Sequence, residues 1–538
     1  MDLHFASVWE RVADAVPEVD AVVLGDRRVT HAEFDDAAAR FAAALEAAGV
    51  TPGAHVSLYL HNLPEYLIAQ QGSFKHGCVP INVNYRYLDD ELVYLVDNSD
   101  SEVLVFESSL GDRVARVADR LDRVRLFVLV DDDGAGTGPD GAVRWDDLLA
   151  AHDPQPRKTR SGKDLYMLYT GGTTGMPKGV MYDNGEFCAG IYLNTSLTLG
   201  VEPPTGLDDI GRFVRQAREV EHMVSVPCCP LMHGTGMWVG GMPALHCGGT
   251  VALLENRTFD ADELLGLIER ERVTRMAIVG DAFARPMLRA MEAAEARGAV
   301  PDLSSLRLIT SSGAMWSAEI KDGMTRYLDA LLLDALGSTE GGGYGAVTTD
   351  KSTAGTTARF SPVPGTIVLD PDDRPLQPGA PEPGLLATAT AARGYYKDPE
   401  KTARTFKEID GVHYVITGDW ATYHEDGTVT LHGRGSNCIN TGGEKVFPEE
   451  VEEAIKTHAG VRDAVVVGVP HERFGEMIVA VVEPKGDAPA EQELIDHVRE
   501  RLAAYKAPRR VITVETIGRA PNGKVDYKRL KEHATSTV

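Results

Sequence analysis

Short apolar stretches alternate with amphipathic ones along much of the chain. A helix-like pattern at residues 34–47 precedes an apolar run at 55–60, and a second helix-like stretch follows at 63–76. The same order returns at 274–279 and 283–293. Strands that alternate with helices in this way pair in parallel, with the helices covering the sheet. The sequence therefore predicts an α/β fold built on parallel or mixed sheets.

The chain is longer than a single hydrophobic core supports, since it has 538 residues. Residues 361–384 are rich in Pro and Gly and contain short strand-like pieces, which predicts a small β unit. A polar Gly/Ser segment follows Gly433, and we place a boundary after Arg434. We expect a large domain over residues 1–434 and a smaller, mobile α+β domain over 435–538.

The composition excludes several classes of function. The formal net charge is −26, which repels nucleic acid unless a local basic patch opposes it. No run reaches the roughly 18 apolar residues of a membrane-spanning helix, and the first residues lack a secretory pattern. We therefore expect a cytoplasmic protein with no integral membrane segment and no nucleic-acid partner. None of the six cysteines forms a C-x-x-C pair, so neither a zinc site nor a disulfide framework is predicted.

The segment TGGTTGMPKG at residues 170–179 directly follows an apolar strand predicted at 165–169. Its glycines let backbone N–H groups approach an anion, its threonines add hydroxyl donors, and its lysine adds a positive charge. A Walker P-loop needs Ser or Thr after its lysine, and here Gly179 follows instead. The loop predicts phosphate binding of another type, with a flexible surface turn as the alternative. The candidate residues are Thr170, Gly171, Gly172, Thr173, Thr174, Gly175 and Lys178.

This loop resembles the phosphate loop of the adenylate-forming superfamily, the AMP-binding enzymes that include acyl-CoA synthetases, luciferases and the adenylation domains of peptide synthetases. Further segments resemble the family's motifs in the same order through nearly the whole chain. PINVNYRY at 80–87 and GGEKVFPEEVE at 442–452 look most like bacterial fatty-acid and steroid side-chain acid CoA synthetases. The other matching segments are PLMHG at 230–234, SGA at 312–314, GSTE at 337–340, GYY at 394–396, TGD at 417–419, GR at 433–434 and PNGK at 521–524.

The resemblance implies catalytic roles for three residues. Lys524 is expected to bridge the acid's carboxylate and the α-phosphate of ATP, and Thr339 to bind that phosphate. His233 is expected beside the carboxylate and later beside the incoming thiol, with a packed core histidine as the alternative. Glu340 offers a hard oxygen ligand for Mg²⁺, although a solvated glutamate is the simpler interpretation of that motif alone.

The resemblance also implies binding residues for the nucleotide and for coenzyme A. Asp419 suits the ribose, because one carboxylate accepts hydrogen bonds from two vicinal hydroxyls. Ser436 is the expected hinge, where the family usually has Asp or Lys, and Leu336 replaces an aromatic residue against adenine. Trp238 is a candidate aromatic gate for the acyl group. The remaining implied residues are Gly313, Ala314, Gly337 and Arg434 for the nucleotide, and Gly442, Gly443 and Lys445 for coenzyme A.

Residues 341–346, GGGYGA, match a dinucleotide-binding fingerprint. No acidic residue follows at the proper distance within a βαβ unit, so we reject that interpretation.

The leading functional hypothesis is an acyl-CoA ligase that uses ATP, Mg²⁺ and coenzyme A to activate a medium-chain, long-chain or steroid side-chain acid. A carboxylate would attack the α-phosphorus to form an acyl-adenylate, and the thiol would then displace AMP. One alternative is an adenylation enzyme that loads a carrier protein, and another is an inert nucleotide-binding regulator. A homodimer is kept open as the assembly.

Overall fold

The computed structural model describes residues 3–131, 137–170, 176–314, 316–352, 359–434, 439–441, 444–471, 475–502, 504–520 and 525–538. The predicted segments 171–175 and 521–524, together with Ser436, Gly442 and Gly443, lie outside these ranges.

The first part of the chain supplies a five-stranded parallel sheet in the order β4-β3-β5-β6-β7 and two strands of a larger sheet. Helices α2 and α3 pack closely at Gly72 of α3, where a Cβ would lie only 2.7 Å from the carbonyl oxygen of Ala38. The elements are α1 (Phe5–Ala15), β1 (Asp20–Leu24), β2 (Arg27–Thr30), α2 (His31–Ala47), β3 (His55–Tyr59), α3 (Pro64–His76), β4 (Val79–Asn82), α4 (Asp89–Asn98), β5 (Ser101–Glu107), α5 (Gly111–Val117), β6 (Leu126–Val130), β7 (Val143–Arg144) and α6 (Trp145–Ala150).

The middle of the chain forms the parallel strands that carry most site motifs. Strands β11, β10, β12, β13 and β14 lie side by side in parallel, and β15 turns back antiparallel to β14. The elements are β8 (Leu165–Thr170), β9 (Lys178–Asp183), α7 (Asn184–Leu199), α8 (Ile210–Val220), β10 (Val224–Pro227), a π-helix (Thr235–Gly241) that continues into α9 (Met242–His246), β11 (Thr250–Leu253), α10 (Ala261–Glu271), β12 (Arg275–Ile278), α11 (Asp281–Ala296), β13 (Leu308–Ser312), α12 (Ala318–Met324), β14 (Leu331–Ser338) and β15 (Gly342–Thr349).

Antiparallel strands then extend the large sheet, and they include the short strands of the β unit predicted at 361–384. Strand β19 leaves it and pairs with β9, so that β19, β9 and β8 form a separate three-stranded sheet. The elements are β16 (Arg359–Pro362), β17 (Thr366–Leu369), β18 (Gly384–Ala389), β19 (Ala392–Tyr395), α13 (Pro399–Thr405), β20 (Phe406–Ile409), β21 (Val412–Val415), β22 (Asp419–Tyr423) and β23 (Val429–Arg434).

The last part of the chain has its own sheet, in the order β25-β24-β27-β26 with β28 beside β27, and its own apolar core around Val466, Ile478 and Val482. This is a smaller α+β domain beside the large α/β one, as expected. The terminal helix α16 was not predicted. The elements are β24 (Ile439–Thr441), β25 (Glu444–Val446), α14 (Pro448–Lys456), β26 (Val461–His471), β27 (Gly475–Pro484), α15 (Glu491–Arg499), β28 (Arg510–Thr513) and α16 (Tyr527–Thr537).

Candidate active site

A large cleft opens at the carboxyl ends of β10, β13 and β14, with a cavity volume of about 1980 Å³. In parallel sheets this edge is the usual place for ligands, because loops from neighbouring strands converge there. The cleft also receives the end of β8, the start of β9 and the start of β22. Ten predicted site residues line it: Thr170, Lys178, His233, Trp238, Gly313, Ala314, Gly337, Thr339, Glu340 and Asp419.

The other predicted residues fall into two groups. Arg434 ends β23 in register with Asp419, and Lys445 lies in β25, but the side chains of both lie outside the described part of the structure. Lys524 lies outside the described residues, although Val525 and Tyr527, which come just after it, line the cleft.

Lys178 begins β9 and is placed by a carboxylate that the sequence did not indicate. Its ammonium pairs with Asp398, which precedes α13, and lies 5.9 Å from the ring centre of Tyr395. The Lys178 ammonium beside Asp398 holds the pKa of that carboxyl below its usual range. Lys178 is 28% exposed on its side chain and lines the cleft, so its ammonium is accessible to an anion there.

Two tyrosines hold the Thr339–Glu340 turn after β14. The hydroxyl of Tyr395 donates to Glu340 Oε1 at 2.7 Å, and the hydroxyl of Tyr182 donates to the carbonyl oxygen of Thr339. Burial raises the pKa of Tyr182 well above its ordinary value, so this hydroxyl keeps its proton and remains a donor. Tyr395 belongs to the matching segment at 394–396, but this role was predicted for neither tyrosine, since both contacts join residues distant in sequence.

The Glu340 carboxylate fits the requirements of Mg²⁺. It lines the cleft, and the Tyr395 hydroxyl occupies one site on one of its two oxygens, which leaves further oxygen lone pairs available. Among the described residues there is no cluster of three or more His, Cys, Asp or Glu side chains that could hold a metal ion. Mg²⁺ on a nucleotide is commonly held by one or two carboxylates together with substrate phosphates, so a single glutamate suffices.

Asp419 begins β22 and belongs to a chain of hydroxyl groups. Thr417 donates to Asp419 Oδ2, and Thr417 Oγ1 lies 3.2 Å from the hydroxyl of Tyr344. That hydroxyl lies 2.9 Å from Ser338 Oγ, at the end of β14. The chain links the start of β22 to the GSTE turn, so the predicted ribose and phosphate residues are oriented together.

His233 and Trp238 flank the start of the π-helix after β10. The indole N–H of Trp238 donates to the hydroxyl of Tyr166 at 2.6 Å, and its ring centre is 4.7 Å from that of Phe187. A Cβ on Gly234 would lie 2.9 Å from the indole of Trp238, so the absence of a side chain at Gly234 leaves room for the ring. Short π-helical segments are frequent at functional sites. These contacts place Trp238 in the cleft wall.

Two buried or half-buried asparagines position the His233 loop, and no pattern in the sequence singles them out for this role. Asn62 Oδ1 accepts from the backbone N–H of Leu231 at 2.7 Å. Asn82 Nδ2 donates to the carbonyl oxygens of Tyr169 at 2.8 Å and Met232 at 2.7 Å, and its Oδ1 accepts from the Tyr169 N–H at 2.7 Å. Asn82 therefore joins the residue before Thr170 to the residue before His233. In the sequence, Asn82 stands out only as an amide side chain at the end of an apolar strand.

The smaller domain brings acidic residues to the cleft. Glu449 and Glu452 of α14 line it, and the Glu449 carboxyl packs against Gly433 at the end of β23. Burial raises the pKa of Glu449 above its usual range, and the neighbouring carboxyl group of Glu452 raises it further. The hydroxyl of Tyr527 donates to Glu452 Oε1 at 3.1 Å.

Three other expectations can be compared with the structure. The GGGYGA segment runs into strand β15 and opens no helix, which agrees with rejecting a dinucleotide fingerprint. Cys78, Cys188, Cys228, Cys229 and Cys247 are buried free thiols, while Cys438 lies outside the described residues. In the described part of the chain, no helix combines the length and the apolar character needed to cross a bilayer.

Comparisons with known proteins agree with the motif order. The AMP-binding enzyme family matches residues 9–396, and the AMP-binding enzyme C-terminal domain matches residues 450–524. The medium/long-chain-fatty-acid–CoA/3-oxocholest-4-en-26-oate–CoA ligase of Mycolicibacterium smegmatis is 40% identical, over 99% of this chain and 96% of its own. The 3-oxocholest-4-en-26-oate–CoA ligase of Rhodococcus rhodochrous is also 40% identical, with the same coverage.

The fold agrees as well. The structure of the anthranilate CoA ligase AuaEII in complex with anthranoyl-AMP aligns with a TM-score of 0.85 and 22% identity, over 100% of this chain and 98% of its own. At that identity the likeness concerns the fold alone. The family match and the two relatives, which span almost the whole chain, carry the assignment: this chain belongs to the AMP-binding enzymes of the adenylate-forming superfamily.

Proposed function

We propose that this chain is an AMP-forming acyl-CoA ligase for a hydrophobic carboxylic acid. The observation that carries the proposal is one continuous cleft in which Lys178, Glu340 and Asp419 open onto an apolar wall. On that wall, Leu193 and Leu197 of α7 are 53% and 73% exposed, an apolar surface that an acyl group would cover. The names of the two relatives support a medium-chain, long-chain or steroid side-chain acid.

In the first half-reaction, a carboxylate oxygen of the acid bonds to the α-phosphorus of ATP. The bond from that phosphorus to the bridging oxygen breaks and pyrophosphate leaves. Both reactants are anions, so positive charge at the reacting atoms lowers the barrier. We assign this role to Lys524, with Lys178 and Thr339 on the phosphates and Asp419 on the ribose. Glu340 would hold Mg²⁺, which supplies charge neutralisation for the phosphates when bound.

In the second half-reaction, the sulfur of coenzyme A bonds to the acyl carbon, AMP leaves, and the thiol proton passes to water. We assign His233 to the acyl carbonyl and Gly442, Gly443 and Lys445 to the thiol's approach. The smaller domain would rotate about Ser436 between the halves, which withdraws Lys524 and brings the 442–445 segment in. Such rotation is a hinge motion at a linker.

The proposal is tested by AMP release from ATP with short, long, aromatic and polycyclic acids, each with and without coenzyme A. Coenzyme A-dependent AMP release with a hydrophobic acid is expected. Use of a pantetheinylated protein in place of coenzyme A would identify a carrier-loading enzyme instead. AMP formation with none of the acids would reject the proposal in favour of a nucleotide-binding regulator.

We predict that Lys524→Ala abolishes pyrophosphate exchange but leaves conversion of preformed acyl-adenylate to thioester, because only the first half joins two anions. Lys528→Ala is the matched control, since Lys528 is an exposed lysine on α16 close in sequence. Equal loss in both assays would remove Lys524 from its role.

Three sequence predictions remain predictions. They are the domain division at residue 434, a homodimeric assembly and a cytoplasmic location, which limited proteolysis, sedimentation and cell fractionation would test.

A further inference from the structure

Tyr395, at the end of β19, connects Glu340 with two lysines. Its hydroxyl donates to Glu340 Oε1 at 2.7 Å. The ammonium of Lys178 lies 5.9 Å from the centre of its ring, and the ammonium of Lys401, on α13, lies 5.0 Å from the same centre. All four residues line the cleft. Because both ammonium groups lie near one ring, Lys401 is a second cation beside the residues that we assign to the phosphates and to Mg²⁺.

Arg404 adds a third cation one turn farther along α13. It follows Lys401 by three residues, so the two side chains lie on one face of the helix, and both line the cleft. Glu400 lies four residues before Arg404, where helix spacing allows an ion pair, but Glu400 does not line the cleft. Among the described residues, no carboxylate pairs with the Arg404 guanidinium. The guanidinium is therefore available to an anion in the cleft.

Hydrogen bonds fix the start of α13 to the end of β19. Asp398 caps the helix by accepting from the Lys401 backbone N–H at 2.9 Å, and its carboxylate also pairs with Lys178. Thr402 Oγ1 accepts from the Tyr395 backbone N–H at 2.9 Å and donates to the carbonyl oxygen of Asp398 at 2.8 Å. One carboxylate therefore sets the position of Lys401 relative to Lys178.

The charges in this part of the cleft suit a ligand with several negative charges. Lys178, Lys401 and Arg404 carry three positive charges, and the carboxylate of Asp398 offsets one of them. The Lys178 ammonium, together with the backbone N–H and the ammonium of Lys401, holds the pKa of Asp398 below its usual range, so this carboxyl is ionised. The remaining positive charge attracts a polyphosphate more strongly than a single phosphate, because each added phosphate brings further negative charge.

We propose that Lys401 and Arg404 bind the β- and γ-phosphates of ATP, and therefore also the pyrophosphate that leaves in the first half-reaction. This inference rests on the proposed acyl-CoA ligase activity. Arg404 lies about 4.5 Å farther along the helix axis than Lys401, a spacing that two linked phosphates can bridge. AMP lacks both of these phosphates. The two cations therefore strengthen the binding of ATP and pyrophosphate and contribute little to the binding of AMP.

Titration calorimetry with MgATP, magnesium pyrophosphate and AMP tests this assignment on the full chain without turnover. In the double variant Lys401→Met, Arg404→Met, the Kd of MgATP and the Kd of pyrophosphate should each rise at least tenfold, because hydrogen bonds between charged groups are lost. The Kd of AMP should stay within twofold, and AMP therefore serves as the control for correct folding. A ratio of the MgATP and AMP dissociation constants equal to that of the unaltered protein would overturn the proposal.

Lys397→Met is the matched control for the loss of a lysine beside a tyrosine ring. The ammonium of Lys397 lies 5.4 Å from the ring centre of Tyr396 and pairs with Asp100 at 2.7 Å, but Lys397 does not line the cleft. Its substitution should leave the dissociation constants of all three ligands within twofold. A weakening of MgATP binding equal to that of the double variant would overturn the assignment to Lys401 and Arg404.

The outcomes separate this inference from the proposed function. Unchanged MgATP and pyrophosphate binding in the double variant, with coenzyme A-dependent AMP release by the unaltered enzyme, would overturn this inference alone. The expected loss of binding, without activation of any acid, would overturn the proposed function and support the phosphate assignment. A higher Kd for coenzyme A with unchanged MgATP binding would assign the two cations to coenzyme A and overturn the proposal.

Discussion

Asn82 offers the sharpest test of how the site is held together. Strand β8 pairs with β9 on one side only, within the described residues. On its other side the Asn82 amide accepts from the Tyr169 N–H and donates to the Tyr169 carbonyl, as a backbone unit of a further strand would. Its second N–H donates to Met232. One buried side chain therefore sets both the start of the phosphate loop and the residue before His233.

The cost of removing this amide follows from its contacts. Asn82→Leu keeps the branching of the side chain but leaves three buried backbone groups without their partner, at about 1–3 kcal/mol each, so at least about 3 kcal/mol of local stability is lost. The larger effect is on geometry. A shift of about 1 Å in a positioning element can reduce a rate by roughly 100-fold. We expect both half-reactions to slow by about this factor, since the loops for phosphate and acyl carbonyl both lose their anchor.

The assay measures pyrophosphate exchange and thioester formation from preformed acyl-adenylate on the same preparation. Asn98→Ala is the matched control, because Asn98 accepts a hydrogen bond from the side-chain hydroxyl of Tyr169 at 2.8 Å and leaves its backbone untouched. We expect the control to stay within threefold in both reactions. If Asn82→Leu lowers thermal stability but keeps kcat and KM in both half-reactions, the residue has no positioning role and the reasoning is refuted.

Two further outcomes are expected. Asp419→Asn should raise the KM for ATP roughly 10- to 100-fold, because that is the worth of charge-assisted hydrogen bonds. The KM for the acid should stay within threefold. An unaltered KM for ATP in steady-state kinetics would exclude ribose contact. Folding raises the pKa of Glu449, so this residue binds its proton more tightly in the folded state and stability is lost as the pH rises above the ordinary range of a glutamate. Glu449→Gln should therefore raise the unfolding temperature at pH 8 more than at pH 5, and identical pH profiles by calorimetry would contradict this.

The placement of the motifs was predictable because polar residues directly follow apolar runs. An apolar run at 331–336 precedes Thr339 and Glu340 in the sequence, and β14 spans Leu331–Ser338. Since parallel strands end at one edge of a sheet, motifs after β10, β13 and β14 converge without further information. Helix α16 was not predicted because its polar sequence buries little more than Leu530 and Ala534, which leaves weak apolar periodicity.

The residues that orient the motifs could not be predicted in the same way. The Tyr182 hydroxyl reaches the carbonyl of a residue 157 positions away, and Asn82 reaches one 150 positions away. Such contacts depend on how three separate sheets pack, and no local pattern in the sequence encodes that packing. Asp398 illustrates the same limit, because its pairing with Lys178 requires β19 to lie against β9.

The net charge illustrates how far a global property can mislead about a site. A formal charge of −26 suggests that an anionic nucleotide is repelled, and α14 adds glutamates to the cleft itself. Yet burial raises the pKa of Glu453 to about 6 and that of Glu449 further above its usual range. A carboxyl that keeps its proton to higher pH contributes less negative charge than its formal count. The electrostatic field at the cleft therefore depends on which carboxyl groups are buried and on Lys178. The summed charge of the surface has little influence there, because it is screened beyond about 8 Å at physiological salt.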